Sequence, residues 1–287
     1  MKVFAFIVAH QTKYLDLVLA GLARQTRRPD HVVVSCDTDR ADIGELIGTW
    51  APRVGAPVSW VRRAHHGVAR CSQVRNNAVR HIVNDLGVRE GLAVQLDGDM
   101  LASAELIAGH AELGARAGVV YAHRVDVPEA ESAGLDAEGV MRGEQMPQFG
   151  DAARELLRRR QRRAVRQLWM RRLGLGPLHK PKLLGSNWSG RLETWIEING
   201  FDEHFQGWGY LDDEFARRAA RAGAKCAVAA DRLISFHLYH PTRQPPGRMT
   251  DNPNHRRFMD RSLPVVAEHG LVNPIPQNTV ITSVFGG

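Results

Sequence analysis

The sequence has little cysteine and no long hydrophobic run. Its 287 residues include three cysteines, Cys36, Cys71 and Cys226, which lie far apart and form no CxxC pair. This argues against a fold stabilised by disulfides and against a cysteine zinc site. We expect the three cysteines to be buried free thiols. The first apolar run, Val3–Ala9, is too short to span a membrane and has no small-residue cleavage site. We therefore expect a cytoplasmic protein without a spanning helix.

Acidic residues are scarce in one segment. Asp151–Lys182 carries eleven Lys and Arg against only Asp151 and Glu155, whereas the rest of the chain is slightly acidic. The segment is thus a basic appendage on a near-neutral domain. Its arginines alternate with apolar residues, namely Leu156, Leu157, Val165, Leu168, Trp169 and Met170. Such a basic amphipathic helix fits an anionic membrane surface, or else packs on its own domain.

Outside this segment, apolar runs alternate with segments of helical periodicity. Runs at Val3–Ala9, His31–Asp37, Leu92–Met100 and Val119–Val127 predict buried strands, and Lys225–Pro241 is strand-like. The alternation predicts an α/β fold with a mostly parallel central sheet flanked by helices. It lapses at roughly Pro128–Lys182, where a basic helical insertion is expected.

Polar residues follow several of the predicted strands. They are His10, Asp37 and the triplet Asp97-Gly98-Asp99. Ligands of parallel sheets bind at the carboxyl ends of strands, so these residues should meet at one edge. Two carboxylates after a buried strand could not share a site cheaply without a cation, and Mg²⁺ or Mn²⁺ accepts such oxygens. A solvated turn is the alternative, and Asp37-Thr38-Asp39 is a second copy of the pattern.

Two further signals involve histidine and arginine. "SFHLYHP" places His237 and His240 three residues apart at a strand end, and carboxylate with imidazole suits Mn²⁺. One surface and one packed histidine would give the same pattern. Arg75, in "VRNNAVR", can contact a phosphate or fix a carboxylate, unless it is simply a surface arginine.

The stretch "FQGWGYLDDEF" combines a flexible turn with carboxylates. Gly207 and Gly209 flank Trp208, and glycine lets the backbone approach a ligand closely. The indole offers a flat apolar face of the kind that stacks on sugar rings. Asp212 or Asp213, directly after it, can accept a proton from an attacking hydroxyl. The alternative is an acidic first turn of a helix, which complements the helix dipole.

Together these motifs resemble nucleotide-sugar glycosyltransferases of the GT-A fold, of the family 2 type with a galactosyltransferase-like C-terminal motif. The resemblance rests on the DxD triplet, the block "GFDEHFQGWGYLDDEFARRAARAG", the "HLYHP" histidines and "RNxA" before the DxD strand. It covers most of Met1–Met259. It implies one domain over 1–287: a nucleotide-sugar-binding half (1–127), the basic helical insertion (128–182), and an acceptor-binding and catalytic half (183–287). That last half ends in a tail from Thr242, which we expect to form a loop and short helices.

The resemblance also implies residue roles. It implies that Asp99 binds the metal, Mn²⁺ or Mg²⁺. His237 completes the metal site, and His240 is the alternative for that role. Asp97 lies near both the metal and the donor ribose. The donor, a UDP-sugar, is held by residues at the strand ends and on the following helix: His10, Asp37, Arg75, Asp97 and Gly98. The sugar and acceptor site contains Trp208, Gly209 and Asp213. Asp212 is the catalytic base, with Asp213 as its rival.

The implied function is metal-dependent, inverting transfer of a hexose to a glycan or lipid-linked acceptor, in cell-surface polysaccharide biosynthesis. One departure affects the acceptor, because Leu211 stands where related blocks have a glutamate that helps to hold it. Asp213 and Glu214 are candidates to compensate. A peripheral position at the inner face of an anionic membrane would suit a lipid-linked acceptor.

Other functions remain open from the sequence. One is a nucleotidyltransferase, and another is a non-catalytic sugar-nucleotide binder. A third is a nucleic-acid- or membrane-binding protein that uses the basic segment. No recognised nucleic-acid motif occurs in the chain, so no nucleic-acid partner is expected.

Overall fold

The computed structural model describes residues 1–65, 67–241, 249–277 and 279–286. Its centre is an eight-stranded sheet whose strand order is β11-β3-β2-β1-β4-β8-β6-β9. The first four strands in the chain are parallel: β1 (Val3–Ala9), β2 (His31–Cys36), β3 (Val58–Arg62) and β4 (Leu92–Asp97). The others are β6 (Val119–Tyr121), β8 (Asn187–Arg191), β9 (Cys226–Val228) and β11 (Ile281–Phe285). This confirms the predicted mostly parallel α/β sheet.

Three short strands form a second sheet beside the first. They are β5 (Met100–Ala102), β7 (Val125–Asp126) and β10 (Ser235–His237), with β10 in the middle. β10 runs antiparallel to β5 and parallel to β7. Two predictions are therefore wrong in detail, because Val119–Val127 and Lys225–Pro241 each divide between the two sheets. In both, the chain leaves the large sheet and crosses to the small one.

Helices cover both faces of the large sheet. They are α1 (Leu15–Ala23), α2 (Ala41–Val54), α3 (Cys71–Arg80), α4 (Leu106–Gly114), α5 (Glu129–Ala133), α6 (Ala137–Arg142), α7 (Asp151–Arg172), α8 (Leu192–Glu197), α9 (Leu211–Arg221) and α10 (Pro253–Met259). A π-helical turn, His81–Asp85, continues α3, and a 3₁₀ turn spans Met249–Asp251. Within the described ranges, none of these helices combines the length and hydrophobicity that a membrane crossing requires.

Two apolar clusters build the core, one on each face of the sheet. On β1, the side chains of Val3, Ala5 and Ile7 join the cluster packed by α1, α2 and α4, while Phe4 and Phe6 join the cluster packed by α3, α8 and α9. This alternation follows from the two-residue period of a strand. The second cluster contains a group of mutually packed rings: Trp188, Trp195, Phe201 and Phe215.

Two strands are not anticipated by the sequence pattern. β8 lies antiparallel between β4 and β6, and its "NWSGR" lacks the β-branched residues typical of strands. β11 pairs antiparallel with β3 at the edge of the sheet, so the tail holds a strand as well as the expected short helix α10. The tail prediction falls partly on 242–248, which lie outside the described residues.

Candidate active site

The strand ends predicted to converge do so at one edge of the large sheet. Ala9 pairs with Cys36, and Val8 pairs with Asp97, so β1, β2 and β4 end at nearly the same level. His10 lies exposed just beyond β1. The backbone N–H of Gly98 donates to the carbonyl of Val8 at 2.8 Å. A Cβ at Gly98 would lie 3.0 Å from that of Ala9, so the glycine lets the DxD turn pack closely against the end of β1.

Asp99 and both histidines of "HLYHP" point at one another. The Nε2 atom of His240 lies 3.2 Å from Oδ2 of Asp99, and the Nε2 atom of His237 lies 3.7 Å from the same oxygen. The two Nε2 atoms are 3.2 Å apart. All three ligand atoms lie within 4.8 Å of one another. Both histidines therefore lie where they could share a cation with Asp99, and their roles as ligands stay predictions.

These residues fit a divalent cation. The Oδ1 atom of Asp99 is buried and has no hydrogen-bond partner among the described residues, which is costly unless a cation or water meets it. Two imidazoles with a carboxylate form a donor set suited to Mn²⁺ and similar ions. Asp97 is outside this group of three, so its role as a ligand stays a prediction.

The small sheet explains why the group assembles. His237 on β10 pairs with Met100, next to Asp99, on one side and with Asp126 on the other. The backbone N–H of Leu238 also bonds to the carbonyl of Asp99 at 2.9 Å. The Nδ1 atom of His237 lies 3.1 Å from the Asp126 carboxylate, which orients the ring so that Nε2 faces Asp99. The sequence analysis did not single out Asp126.

Arg75 lies buried between two carboxylates of the site. Its Nη2 atom is 4.0 Å from Oδ1 of Asp212, and its Nε donates to Gln95 at 3.1 Å. Burial raises the pKa of Asp97 to about 7, against the opposing positive charge of Arg75, and the charges of Asp99 and Asp212 raise it further. Arg75 is therefore a buried residue of the site rather than a surface arginine.

Asp212 is held in the first turn of α9 with one oxygen free. Burial raises its pKa, and the charge of Arg75 acts in the opposite direction. The backbone N–H of Gly185 also donates to it. Its Oδ1 atom is buried and has no hydrogen-bond partner in the described part of the chain, while about a quarter of the side chain as a whole is accessible. This is the state of a carboxylate that is positioned yet available to take a proton.

Gly185 was missed by the sequence analysis. A Cβ built on it would lie 2.8 Å from both carboxylate oxygens of Asp212 and 2.9 Å from Nη2 of Arg75. Gln95 donates through its side-chain amide to the carbonyl of Gly185, and its Oε1 accepts from Arg75. Gly185, two residues before β8, therefore lets the backbone approach the carboxylate, and a side chain there would displace Asp212 or Arg75.

The other acidic residues of the block differ from Asp212. Asp213 is partly buried, which raises its pKa, and Lys180 and Lys182 oppose that shift. Glu214 is fully buried in an ion pair with Arg218, so it cannot compensate for a missing acceptor contact. Leu211 packs into the apolar cluster below α9, so its side chain does not face an acceptor at all.

The Gly-Trp-Gly loop presents its indole to solvent. Gly207 and Gly209 have φ of 66° and 100°, in the left-handed region that favours glycine. Trp208 is 61% exposed. Asn252 donates to the carbonyl of Trp208 at 2.7 Å, and Asn254 to that of Gly209 at 3.0 Å. The backbone is thus fixed by two asparagines of the tail while the ring stays free for a ligand.

Asp37 is tied into the protein more tightly than predicted. Its carboxylate pairs with Arg63 at 2.5 Å, accepts the backbone N–H of Arg70 at 3.0 Å and meets Nδ1 of His65 at 3.1 Å. It shapes the loop that leads into α3. A contact with a nucleoside remains a prediction.

Comparisons with known proteins agree with this fold. Residues 175–241 match the family model described as the N-terminal domain of galactosyltransferase. This segment contains Gly185, the Gly-Trp-Gly block and both histidines. Comparison with curated protein sequences gives no match.

Solved structures extend the likeness to most of the chain. TarS of S. aureus (residues 1–349, in complex with UDP-GlcNAc) superposes with a TM-score of 0.54 at 15% identity, covering 87% of this chain and 61% of that one. GalNAc-T7 with UDP, GalNAc and Mn²⁺ gives 0.56 at 13% identity, covering 85% of this chain and 45% of that one. The chain has the GT-A fold. It spans less than two thirds of the length of either structure.

The fold confirms the resemblance inferred from the sequence. The family-model match, over residues 175–241, contains the Gly-Trp-Gly block and the "HLYHP" histidines on which that resemblance rests. At these identities the solved structures establish architecture rather than chemistry.

Proposed function

We propose that the protein is a glycosyltransferase that moves a hexose from a nucleotide sugar to an acceptor hydroxyl. The observation that carries the proposal is the convergence of Asp99, His237 and His240 on one point, at the sheet edge that also holds the buried carboxylates of Asp97 and Asp212. A solvated strand-end turn would not gather two imidazoles and leave a buried carboxylate oxygen without a partner.

The proposed donor is a UDP-sugar. Both comparison structures carry UDP, as UDP-GlcNAc in TarS and as UDP with GalNAc in GalNAc-T7. The residues proposed to hold it surround the ends of β1, β2 and β4: His10, Asp37, Arg75, Asp97 and Gly98. Parallel α/β sheets bind nucleotides at such a position.

The proposed cofactor is Mn²⁺ or Mg²⁺, held by Asp99, His237 and His240, with Asp97 as a further ligand. Bound there, the cation would neutralise the negative charge of the departing diphosphate. The two nitrogen ligands favour Mn²⁺ over Mg²⁺, which prefers oxygen. GalNAc-T7 was crystallised with Mn²⁺.

Asp212 is the proposed base. It takes the proton of the acceptor hydroxyl as that oxygen bonds to the anomeric carbon and the diphosphate leaves from the opposite face, which inverts the configuration. Burial supports this role because it raises the pKa of the carboxylate and so its affinity for a proton. Arg75 keeps it ionised before the reaction, through a charge 4.0 Å away.

The proposed acceptor is a glycan or a lipid-linked sugar, as in cell-surface polysaccharide synthesis. Trp208 and Gly209 form the floor on which its ring would rest, and Asp213 borders it. Leu211 packs in the core and offers no polar group, so Asp213 alone of the three neighbouring candidates can contact the acceptor. The expected place of action is the cytoplasmic face of the membrane.

The experiment is a panel of nucleotide sugars, each incubated with the protein and Mn²⁺, with released UDP and free sugar measured. Slow transfer to water is expected for the true donor. EDTA should abolish release and added Mn²⁺ should restore it; full activity in EDTA would reject the metal. Release of pyrophosphate instead would indicate a nucleotidyltransferase, and binding without turnover a non-catalytic binder. The anomeric configuration of a glycoside formed on an added acceptor alcohol decides between inversion and retention, because the free sugar mutarotates.

A further inference from the structure

Helix α7 is anchored along one side only. Leu157 and Leu168 are its buried residues, and Leu168 joins the apolar cluster that also contains Cys226 of β9. The side-chain amide of Gln161 donates to the carbonyl of Val228 at 2.9 Å and accepts the backbone N–H of Ala230 at 2.8 Å. These contacts fix the helix against edge strand β9. The opposite side of its 22 residues is consequently held towards solvent.

That outer side carries more arginines than carboxylates. Arg158, Arg163 and Arg166 are exposed, and none has an ion pair or hydrogen bond within the described ranges of the chain. Arg159 and Arg162 share the single carboxylate of Glu155, at 2.9 and 3.1 Å. A solvated helix that merely packed on its own domain would not need this excess of like charge, which repels itself.

The last turn of the helix and the residues that follow it carry exposed apolar side chains. Trp169, Leu173 and Leu175 are 59%, 64% and 71% exposed, and Met170 and Leu178 are exposed as well. Single exposed apolar residues are ordinary, but five within ten consecutive residues are the concentration expected of an interaction surface. The surface formed by the outer arginines and these five residues is called the α7 face below.

We propose that the α7 face binds an anionic lipid bilayer. The arginines would meet lipid phosphates, and the tryptophan and leucines would enter the boundary between headgroups and acyl chains. The positive charge of the arginines favours an anionic partner. Among anionic partners, a bilayer is favoured because it can also bury the exposed apolar side chains of the α7 face. Leucine side chains gain nothing from a nucleic-acid backbone, whose affinity comes from phosphate contacts and from stacking on aromatic rings.

The α7 face leads directly to the acceptor side of the candidate active site. Arg171, in the last turn of α7, donates to the carbonyls of Leu178 and Lys180 at 3.2 and 3.3 Å. The positive charges of Lys180 and Lys182 lower the pKa of the Asp213 carboxylate, and the backbone N–H of Gly185 donates to Asp212. A bilayer on the α7 face would thus lie near the base. This extension to a lipid-linked acceptor rests on the proposed function, whereas bilayer binding itself does not.

The charge requirement is tested with vesicles of phosphatidylcholine alone and with 30% phosphatidylglycerol (a composition chosen for the assay). We expect flotation with the anionic vesicles only. Replacing Arg158, Arg163 and Arg166 with glutamine should weaken partitioning by about 100-fold. The matched control replaces Arg89, Arg116 and Arg261 with glutamine. The side chains of these arginines are also exposed and have no partner in the described ranges. This control removes the same net charge and should change partitioning by less than about threefold.

The apolar requirement is tested in the same assay. Leu175→Ser should weaken partitioning by about tenfold, whereas Val272→Ser, at a residue 77% exposed elsewhere, should have no effect. Trp169 and Trp208 are the two strongly exposed tryptophans of the six. In Trp208→Phe protein, Trp169 emission should therefore shift to the blue on vesicles and be quenched by lipids brominated on the acyl chain.

Three outcomes would overturn the proposal. Equal losses in the two triple variants would mean that net charge, not the α7 face, drives binding. Unchanged Trp169 emission would mean that the apolar end stays in water. Binding to a DNA duplex or heparin, without binding to vesicles, would assign the surface to a polyanion. None of these readouts requires transferase activity, so failure of the proposed reaction is distinguishable.

Discussion

At the scale of single residues, Asp212 and Asp213 are neighbours in the chain with different surroundings. Asp212 lies near Arg75 and receives the N–H of Gly185, whereas Asp213 faces Lys180 and Lys182. Both have raised pKa values because of burial. The sequence could not separate them, because both follow the same Gly-Trp-Gly turn. Their contacts favour Asp212 as the base and Asp213 as a contact for the acceptor.

We expect Asp212→Asn to lower kcat by about 10²–10⁴-fold, the usual contribution of a general base. UDP-sugar binding, measured by calorimetry, should be retained because the carboxylate is not needed to hold the donor. Asp213→Asn should keep most of kcat and raise KM for the acceptor. The reverse pattern would make Asp213 the base.

The pH profile of Asp213→Asn gives an independent check. The base works when ionised, so kcat/KM falls as pH decreases through the pKa of Asp212. The negative charge of Asp213 raises that pKa, so its removal should move the acid limb to lower pH. An acid limb that stays in place would show that Asp212 does not set it.

Gly185→Ala tests the close approach of backbone and base. The added Cβ would meet both oxygens of Asp212 at 2.8 Å, and the flexible carboxylate can move away without unfolding the protein. We expect kcat to fall at least tenfold with an unchanged melting temperature, since a misplacement of about 1 Å is costly in catalysis. Gly150→Ala is the matched control because nothing lies within 4 Å of its added Cβ. Full activity in Gly185→Ala would separate this residue from the base.

At the scale of elements, the small sheet could not be predicted from the sequence. Runs of buried β-branched residues made the parallel strands recognisable, and a GT-A likeness gave the approximate place of the site. β5 and β7 are three and two residues long, too short to show a period. Both strands pair with β10, which is far from them in the chain. It is nevertheless this pairing that brings His237 and Asp126 to Asp99.

Asp126→Asn should therefore weaken Mn²⁺ binding by about 10–100-fold, the usual effect of losing a carboxylate that orients a ligating histidine. Calorimetry with Mn²⁺ alone measures this without any donor. His237→Ala and His240→Ala should each have a larger effect, because each removes a ligand. Asp39→Asn, in the second DxD copy, is the control and should bind Mn²⁺ normally. Equal losses in Asp39→Asn and Asp126→Asn would contradict the assignment.

At the scale of the whole molecule, buried histidines make the fold sensitive to acid. His110 is fully buried and bonded to Ser189 and Asn187 at 2.9 and 3.0 Å. Burial lowers its pKa from 6.5 to about 4. Burial likewise lowers the pKa values of His31 and His123 to about 4. Between pH 6.5 and 4 the unfolded chain therefore binds protons that the folded chain does not.

We expect the free energy of unfolding to fall as pH decreases through this window. His110 alone should contribute a loss of about 2 kcal/mol between pH 7.5 and pH 5. Urea unfolding at the two pH values measures the difference. His110→Gln should show a smaller difference than the wild-type protein, whatever its stability at pH 7.5. An identical difference in both proteins would assign the acid sensitivity elsewhere.

The central claim is that the edge of the sheet holds a nucleotide sugar and a divalent cation together. The most direct test is calorimetric titration with UDP-sugars. The wild-type protein and Asp99→Asn are each titrated once in Mn²⁺ and once in EDTA. We predict that one UDP-sugar binds in Mn²⁺ with a Kd at least tenfold lower than in EDTA, and that Asp99→Asn removes this difference. Failure of every UDP-sugar to bind in Mn²⁺, or binding that Asp99→Asn leaves unchanged, would contradict the account.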